Sequence, residues 1–353
     1  MSIYDCNLWI EDIDRVLQVI PELEKIENHS ILVTGATGMI CSALTDILIR
    51  YNETHIKNIQ IYVAGRNEND MKERFGEFYN REYFHFVQYD SSKSDNIFRF
   101  NVDYIIHGAA NSSPKKIIDE PVETMLGNFI GIKDLLDFAK KSKSQRVLYI
   151  SSSEVYGKKE LNGAFKEEDY GFVDILNIRN SYSVGKQAAE TLCISYSDEY
   201  GVNSVIVRPG HIYGPTAKKT DDHVASAWAY DVALGNDIVM KSNGMQIRSY
   251  VYCLDCASAI LKVLMCGERG KAYNISNADS TISIKEMALI LSKVGNVELR
   301  MESANFEEAK GFNLMSNSSL DSTKLLNIGW KSCFDAETGF NHTVRILKES
   351  GKC

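Results

Sequence analysis

Proline is scarce, with five residues in a chain of 353, and no proline- or serine-rich linker, low-complexity tract or internal repeat divides it. No apolar run approaches the length needed to cross a bilayer, so a spanning segment is not expected. Basic charge is in deficit: 39 Lys and Arg face 47 Asp and Glu, for a net charge of -8 and a pI near 5.5. That balance argues against a general nucleic-acid-binding surface. It leaves an anionic small molecule open, since a few placed arginines can hold a diphosphate. The eight cysteines lack the dense spacing of a disulfide scaffold, which fits a reducing cytoplasm. Cys253 and Cys256 form a C-x-x-C without a second ligand pair or a thioredoxin-like setting, and are read as structural. Residues 1–28 carry Asp5, Glu11, Asp12 and Asp14 and no basic start before an apolar stretch, unlike a signal peptide.

What is present is an ordinary globular composition, 44% hydrophobic and 24% charged, long enough for one large domain or two closely joined ones. Trp9, Ile10, Ile13, Val16, Leu17 and Ile20 recur at helical spacing, predicting an amphipathic helix that ends near Pro21 and packs on the body or on a partner subunit. From His29 onward strand and helix alternate. Short apolar runs occur at 31–34, 59–64, 84–89, 104–107, 147–150 and 205–207, with helical stretches at 39–51, 122–141 and 182–200. Strands apolar on both faces and joined by helices predict an α/β doubly wound parallel sheet of the Rossmann type. After about Gly210 the alternation fades. The organisation expected is an N-terminal helical extension (1–28), a dinucleotide-binding domain with the catalytic residues (29–210), and a smaller, mainly substrate-binding lobe (211–353), with segments free to cross back.

The run Ile31-Leu-Val-Thr-Gly35-Ala-Thr-Gly38-Met-Ile-Cys41 reads as strand, glycine turn and helix start. Gly35 permits the tight turn, Gly38 lets the backbone approach a pyrophosphate, and the helix N-terminus presents unpaired N–H groups to it. Thr37, Met39 and Ile40 belong to the same turn. Cys41 stands where a third glycine would allow close helix-strand packing, so slightly looser packing is expected. At the end of the second strand, in Tyr62-Val-Ala-Gly65-Arg66-Asn67, no acid waits for a ribose 2′-hydroxyl. Arg66 either pairs with a 2′-phosphate, tilting the cofactor slightly toward NADP, or is a plain surface cation.

Tyr182-Ser-Val-Gly-Lys186 sets a phenol and an ammonium at i and i+4 on one helix face. A nearby ammonium stabilises phenolate and is expected to lower the tyrosine pKa, preparing it to take a hydroxyl proton. Upstream, Ser151-Ser-Ser-Glu-Val-Tyr-Gly157 follows a strand ending near Ile150, at the sheet edge where such folds bind ligands. Ser152 is best placed there to hydrogen-bond the same substrate oxygen.

Together with His107-Gly-Ala-Ala110, Asn128 in Gly-Asn-Phe-Ile-Gly, Arg208-Pro-Gly-His-Ile-Tyr-Gly-Pro215 and Arg248-Ser-Tyr-Val-Tyr-Cys-Leu-Asp255, these stretches resemble the extended short-chain dehydrogenases that act as nucleotide-sugar epimerases, dehydratases and decarboxylases. The resemblance spans roughly residues 29–280. It implies an NAD(P) cofactor and a nucleotide-linked sugar or polyol substrate. It makes Tyr182 the base, Lys186 its partner and the holder of the nicotinamide ribose, and Ser152 the hydroxyl-orienting residue. Asp90, with Ser91, would lie near the adenine, and Ala109, Ala110, Asn128 and Pro209 would line the cofactor groove. Arg248 would grip the substrate diphosphate, against a reading as a surface cation. Relatives of this kind pair two long helices into a four-helix seam, so a homodimer is expected.

The resemblance also implies a first step, oxidation of a sugar hydroxyl to a ketone, after which the neighbouring carbon epimerises, eliminates water or loses carboxylate. Ser152-Ser153-Glu154 is similar to the Thr-Ser-Glu of the dehydratase and decarboxylase branches, which would give Glu154 an acid/base role, with Ser153 on the substrate. Glu168-Asp-Tyr-Gly171, with Arg179 shortly before Tyr182, is similar to the UDP-glucuronate decarboxylases. His211-Ile-Tyr-Gly-Pro215-Thr216 departs from that branch, lacking its asparagine and arginine, and leaves an epimerase, dehydratase or reductase open. His211 is read as either a substrate contact or a packing residue. A non-catalytic cofactor-binding relative is the competing class, although such proteins usually lose the tyrosine, lysine or hydroxyl residue.

Overall fold

The apolar runs become neighbouring strands because each is buried on both faces. A computed structural model describes residues 2–55, 58–159, 163–303 and 315–351. In it β1 (Ser30–Thr34), β2 (Gln60–Gly65), β3 (Phe84–Gln88), β4 (Tyr104–His107), β5 (Arg146–Ile150) and β6 (Ser204–Pro209) lie in one sheet. Beyond them come β7 (His211–Tyr213), β8 (Ile238–Met240), β9 (Ile247–Tyr252), β10 (Ala272–Ile275), β11 (Thr281–Ser283) and β12 (Leu299–Met301). The large sheet has seven strands in the order β10-β6-β5-β4-β1-β2-β3, and every pairing in it is parallel. Its seventh strand, β10, returns from beyond residue 270 to pair with β6. The rest of the C-terminal part builds a three-stranded sheet, β11-β9-β7, and a two-stranded one, β12-β8.

Helices carry most of the crossovers that parallel pairing needs, although β3 runs to β4 without one. They are α1 (Asn7–Leu17), α2 (Met39–His55), α3 (Glu68–Phe75), α4 (Pro114–Asp119), α5 (Pro121–Ser142), α6 (Ser181–Tyr200), α7 (Val224–Ala233), α8 (Cys253–Cys266), α9 (Ile284–Gly295), α10 (Thr323–Asn327) and α11 (Ala336–Glu349). Alternate residues of β1 part to opposite faces. Ile31 and Val33 pack with α2 and α8, whereas Leu32 joins Ile132, Leu135 and Leu136 of α5 and Ala189 of α6. Cys253 and Cys256 are free thiols buried in α8.

The N-terminal helix packs on the body of its own chain. Trp9, Ile13 and Val16 are buried, and Trp9 donates its indole N–H to Asp46 of α2 at 3.2 Å. Asp12 accepts from the Tyr252 hydroxyl at 2.9 Å and faces His342 of α11 at 2.9 Å. Asp46 is fully buried and also receives the Tyr4 hydroxyl at 2.5 Å and Arg74 at 2.6 Å. Removing one partner of a buried ion pair strands the other charge at a cost of about 3–5 kcal/mol. Asp46→Ala is therefore expected to lower the unfolding free energy by that amount, read by equilibrium unfolding as a lower urea midpoint with an unchanged m-value.

Candidate active site

The winding direction reverses between β1 and β4, since β2 and β3 continue to one side of β1 and β4, β5 and β6 to the other. Such a switch point opens a crevice at the carboxyl ends of the strands. Gly35 sits there with a φ of +69°, donating its N–H to Ala64 at 3.1 Å, and Gly38 donates to Gly35 at 2.8 Å. A Cβ on Gly35 would lie 2.8 Å from the Ala109 nitrogen, so two backbones touch where only glycine fits. Gly38 is exposed and Thr37 partly so, Met39 and Ile40 pack in part against the core, and α2 starts at Met39.

A neutral bracket fixes the floor of this cradle. The Thr34 hydroxyl accepts N–H groups of Gly108 and Ala109, both at 3.2 Å, and lies 2.7 Å from His107 Nδ1. Having accepted twice, it donates its one proton to Nδ1, which leaves the histidine hydrogen on Nε2. Burial, with Lys186 nearby, pushes the His107 pKa down to about 3, so the ring carries no charge. Cys41 does not loosen the packing as expected. It is buried against Gly108, where any Cβ would collide with its sulfur, so the glycine that the turn lacks is supplied by the facing loop. Burial pushes the Cys41 thiol up to about 12, which makes it a packing group and no nucleophile.

The other cofactor candidates ring the same edge, with one exception. Arg66 is exposed just past β2, and Asp90, just past β3, accepts the Ser92 N–H and hydroxyl at 3.1 and 2.8 Å. Its carboxyl, though penalised by burial, is held below the usual range by Ser92 and Arg66. Ser91 packs against Gly131 of α5, Ala109 and Ala110 follow β4, and Pro209 ends β6. Asn128 is the exception. Its side chain is buried, donates to the Thr124 carbonyl at 2.8 Å and lies 3.4 Å from the Tyr149 hydroxyl, so it joins α5 to β5 beneath the crevice.

At the end of β5 the catalytic candidates converge. Lys186 donates its ammonium to the Ile150 carbonyl at 2.7 Å, 5.7 Å from the Tyr182 ring centre. Burial pulls the Lys186 pKa down to about 7, against the opposing charge of Glu190 one turn further along α6. Tyr182 is buried beside Ser152, whose hydroxyl also caps the turn at Ser153–Tyr156 by accepting the Glu154 N–H at 3.1 Å. The expected lowering of the tyrosine pKa is not met. Burial and the Glu154 carboxylate drive it up, Ser152 and Arg179 pull it down, and the ammonium is turned to Ile150. Glu154 itself is held in a two-pronged ion pair by Arg179 at 2.9 and 3.0 Å and receives the Ser183 hydroxyl at 3.2 Å.

The substrate candidates split. Ser153 and Arg179 stand partly exposed beside Glu154. Arg248 is no surface cation: it is buried on β9, with Nη1 donating to the Ile247 and Met315 carbonyls at 2.8 and 3.1 Å. His211 pairs in register with Tyr250 on β9, and its Nδ1 is buried without a hydrogen-bond partner among the described residues. Burial, then Arg248 and His223, hold its pKa down to about 3. Three groups of this region escaped the sequence reading: Ser183, the buried Glu190–Arg208 pair at 2.7 Å, and Asp221 with His223. The i, i+4, i+8 line of Tyr182, Lys186 and Glu190 was the available signal for the second.

A strand-turn-helix cradle at a switch point, followed by a tyrosine and lysine on α6 at the end of β5, defines a nicotinamide-dependent enzyme of the short-chain dehydrogenase type. The profile described as the NAD dependent epimerase/dehydratase family matches residues 31–276, and the chain belongs to that family. UDP-glucuronic acid decarboxylase 1 of Xenopus tropicalis is 27% identical over 327 residues, covering 93% of this chain and 74% of that protein. UDP-glucuronic acid decarboxylase 6 of Arabidopsis thaliana is 31% identical over 250 residues, 71% of this chain and 70% of that one. A dTDP-glucose 4,6-dehydratase from Streptomyces venezuelae, solved with NAD bound, shares the fold with a TM-score of 0.76 at 22% identity, over 91% of this chain and 97% of its own.

The Cys41–Gly108 contact makes a paired prediction. Gly108→Ala is expected to destabilise the protein by about 1–3 kcal/mol through overpacking. Adding Cys41→Ala should return most of that loss, which a double-mutant cycle by thermal or urea unfolding measures.

Proposed function

We propose that this enzyme modifies a nucleotide-linked sugar by transient oxidation of a substrate hydroxyl, with UDP-glucuronic acid as the leading substrate. The observation that carries the reading is the meeting of Tyr182, Ser152 and the Lys186–Ile150 contact at the carboxyl end of β5, beside the glycine cradle. The glycine cradle fits a dinucleotide: Gly35 and Gly38 leave room for a pyrophosphate, and Lys186 stands ready for the nicotinamide ribose. The nicotinamide, when bound, takes up a hydride and gives it back. Ser152 orients the substrate hydroxyl, Tyr182 takes its proton, and Lys186 stabilises the phenolate once its ammonium swings toward the ring. Retention of all three residues opposes a non-catalytic reading.

Decarboxylation is favoured among the outcomes by the names of the relatives and by Glu154 and Arg179, which stand together next to Tyr182. Arg248 and His211 are assigned to the substrate side, in the mainly substrate-binding lobe from residue 211, and the setting to the cytoplasm. Arg66 supports a slight preference for NADP, while the Streptomyces dehydratase binds NAD, so Arg66→Ala should narrow any difference between the two cofactors. A homodimer through α5 and α6 is supported by the exposed Val122, Met125, Leu126 and Phe129 on α5.

Incubation with UDP-, TDP-, GDP- and CDP-linked sugars, followed by nicotinamide absorbance and product mass, tests the reading. Loss of carbon dioxide from UDP-glucuronic acid without net cofactor change is expected. Loss of water marks a dehydratase, an unchanged mass with a new isomer an epimerase, and net cofactor turnover a reductase. Tyr182→Phe is expected to reduce turnover by about 10²–10⁴. Undiminished turnover in that variant would withdraw the catalytic assignment.

A further inference from the structure

The loop between β7 and α7 carries Asp221-Asp222-His223, and it reaches across to the first lobe. Asp222 accepts the Ser113 hydroxyl at 2.9 Å and the Lys115 N–H at 3.0 Å, which fastens the loop to the start of α4. The same helix abuts the short turn Ile178–Asn180 that presents Arg179 to Glu154. Within the loop, Asp221 lies 2.6 Å from His223 Nδ1 and accepts the His223 backbone N–H at 3.1 Å, so ring and main chain are held by one carboxylate. His223 Nε2 has no hydrogen-bond partner among the described residues, and the side chain is 43% exposed.

The titratable groups that face this ring come from three places. Asp221 and Asp222 belong to its own loop, Glu154 to the turn after β5, and the third neighbour, His211 on β7, is titratable but held uncharged. The anchorage of its loop on α4, which abuts the turn carrying Arg179, brings the imidazole to the side of the site where Glu154 stands. Burial opposes its charge, but Asp221 first, then Asp222 and Glu154, carry its pKa above the ordinary histidine value.

The groups already assigned leave one proton unaccounted for. Tyr182 handles the proton of the hydroxyl being oxidised, and both Glu154 oxygens are committed to Arg179, one of them also to Ser183. Yet any change at the carbon beside the new ketone ends with that carbon gaining a proton. We propose that His223, oriented by Asp221, is a second proton carrier of this active site and protonates the carbon next to the ketone.

The inference rests on the oxidation reading above. In a decarboxylation the bond to the carboxylate breaks, carbon dioxide leaves, and the electron pair moves to the ketone oxygen as an enolate. The enolate carbon then takes the Nε2 proton, leaving a neutral imidazole that is reprotonated from water. Asp221 acts as a positioning residue, keeping Nδ1 engaged and Nε2 toward the substrate.

The test uses the full chain with nicotinamide cofactor and UDP-glucuronic acid in deuterated water, comparing wild type with His223→Gln, Asp221→Asn and Tyr182→Phe. His223→Gln is expected to reduce cofactor in a single turnover at the wild-type rate, while the rate of deuterium incorporation at carbon falls by about 10²–10⁴ and the enolate, not the ketone that follows it, builds up. Tyr182→Phe should lose the first step instead. Asp221→Asn should keep incorporation but move its alkaline limb to lower pH, because an imidazolium without its carboxylate loses its proton sooner. A role in folding alone would leave that limb in place. Wild-type incorporation in His223→Gln, or equal loss of both steps, overturns the proposal.

If wild type reduces no cofactor with this substrate, the oxidation reading fails by itself. The His223 ring signal, assigned by comparison with His223→Gln in proton-detected NMR and followed as UDP-glucuronic acid saturates the protein, then decides the histidine. A shifted signal supports its place at the substrate, and an unmoved one removes it.

Discussion

The buried ammonium of Lys186 is the constraint around which the site is arranged. A charge so deep must find an oxygen, and the one within reach is the carbonyl of Ile150, the last residue of β5. That bond fixes the height of α6 against the sheet, and with it Tyr182 one turn back and Glu190 one turn forward. Glu190 in turn neutralises Arg208 near the end of β6. Two neighbouring strand ends are thus tied to one helix through charges that cannot be moved without stranding a partner. At the adjoining ends of β4 and β1, on the same sheet face, the ties are neutral, made by the Thr34 hydroxyl and an uncharged His107. The site therefore sets a charged side along α6 next to an uncharged one at the ends of β1 and β4.

This division explains the electrostatics of Tyr182. The ammonium is directed to Ile150, while burial and the neighbouring Glu154 carboxylate keep the proton on the phenol. The proton is held by burial first and by charge second, with Ser152 and Arg179 pulling the other way.

The fold was legible because its strands are short, apolar and regularly separated by helices, and because a glycine turn followed the first of them. The strand at 272–275 was harder to see. Ala-Tyr-Asn-Ile is brief and has a polar residue in the middle, and it is tolerated because Asn274 is buried among partners, accepting from Tyr156 and donating to Phe165 and Asp321. Tyr182, Lys186, Ser152 and Glu154 were readable from spacing and motif. The inward turn of Asn128 was not, since a helix face is set by packing. Nor was the exchange between Cys41 and Gly108, whose contact joins residues 67 positions apart. Asp221 and His223 carried no signal in the sequence, and only the fold shows Asp222 fastening their loop across to α4.

The return of β10 to the sheet also bears on the order in which the protein is made. The catalytic candidates at the end of β5 and on α6 have all been synthesised by residue 186, yet β6 remains an unpaired edge until residues 272–275 emerge, and α1 waits for Tyr252 and then His342 before Asp12 is satisfied. Cys6 meets its partner later still, lying 3.1 Å from a Glu349 carboxylate oxygen. A nascent chain therefore carries its chemical groups long before it can use them, with an open strand edge to be shielded meanwhile.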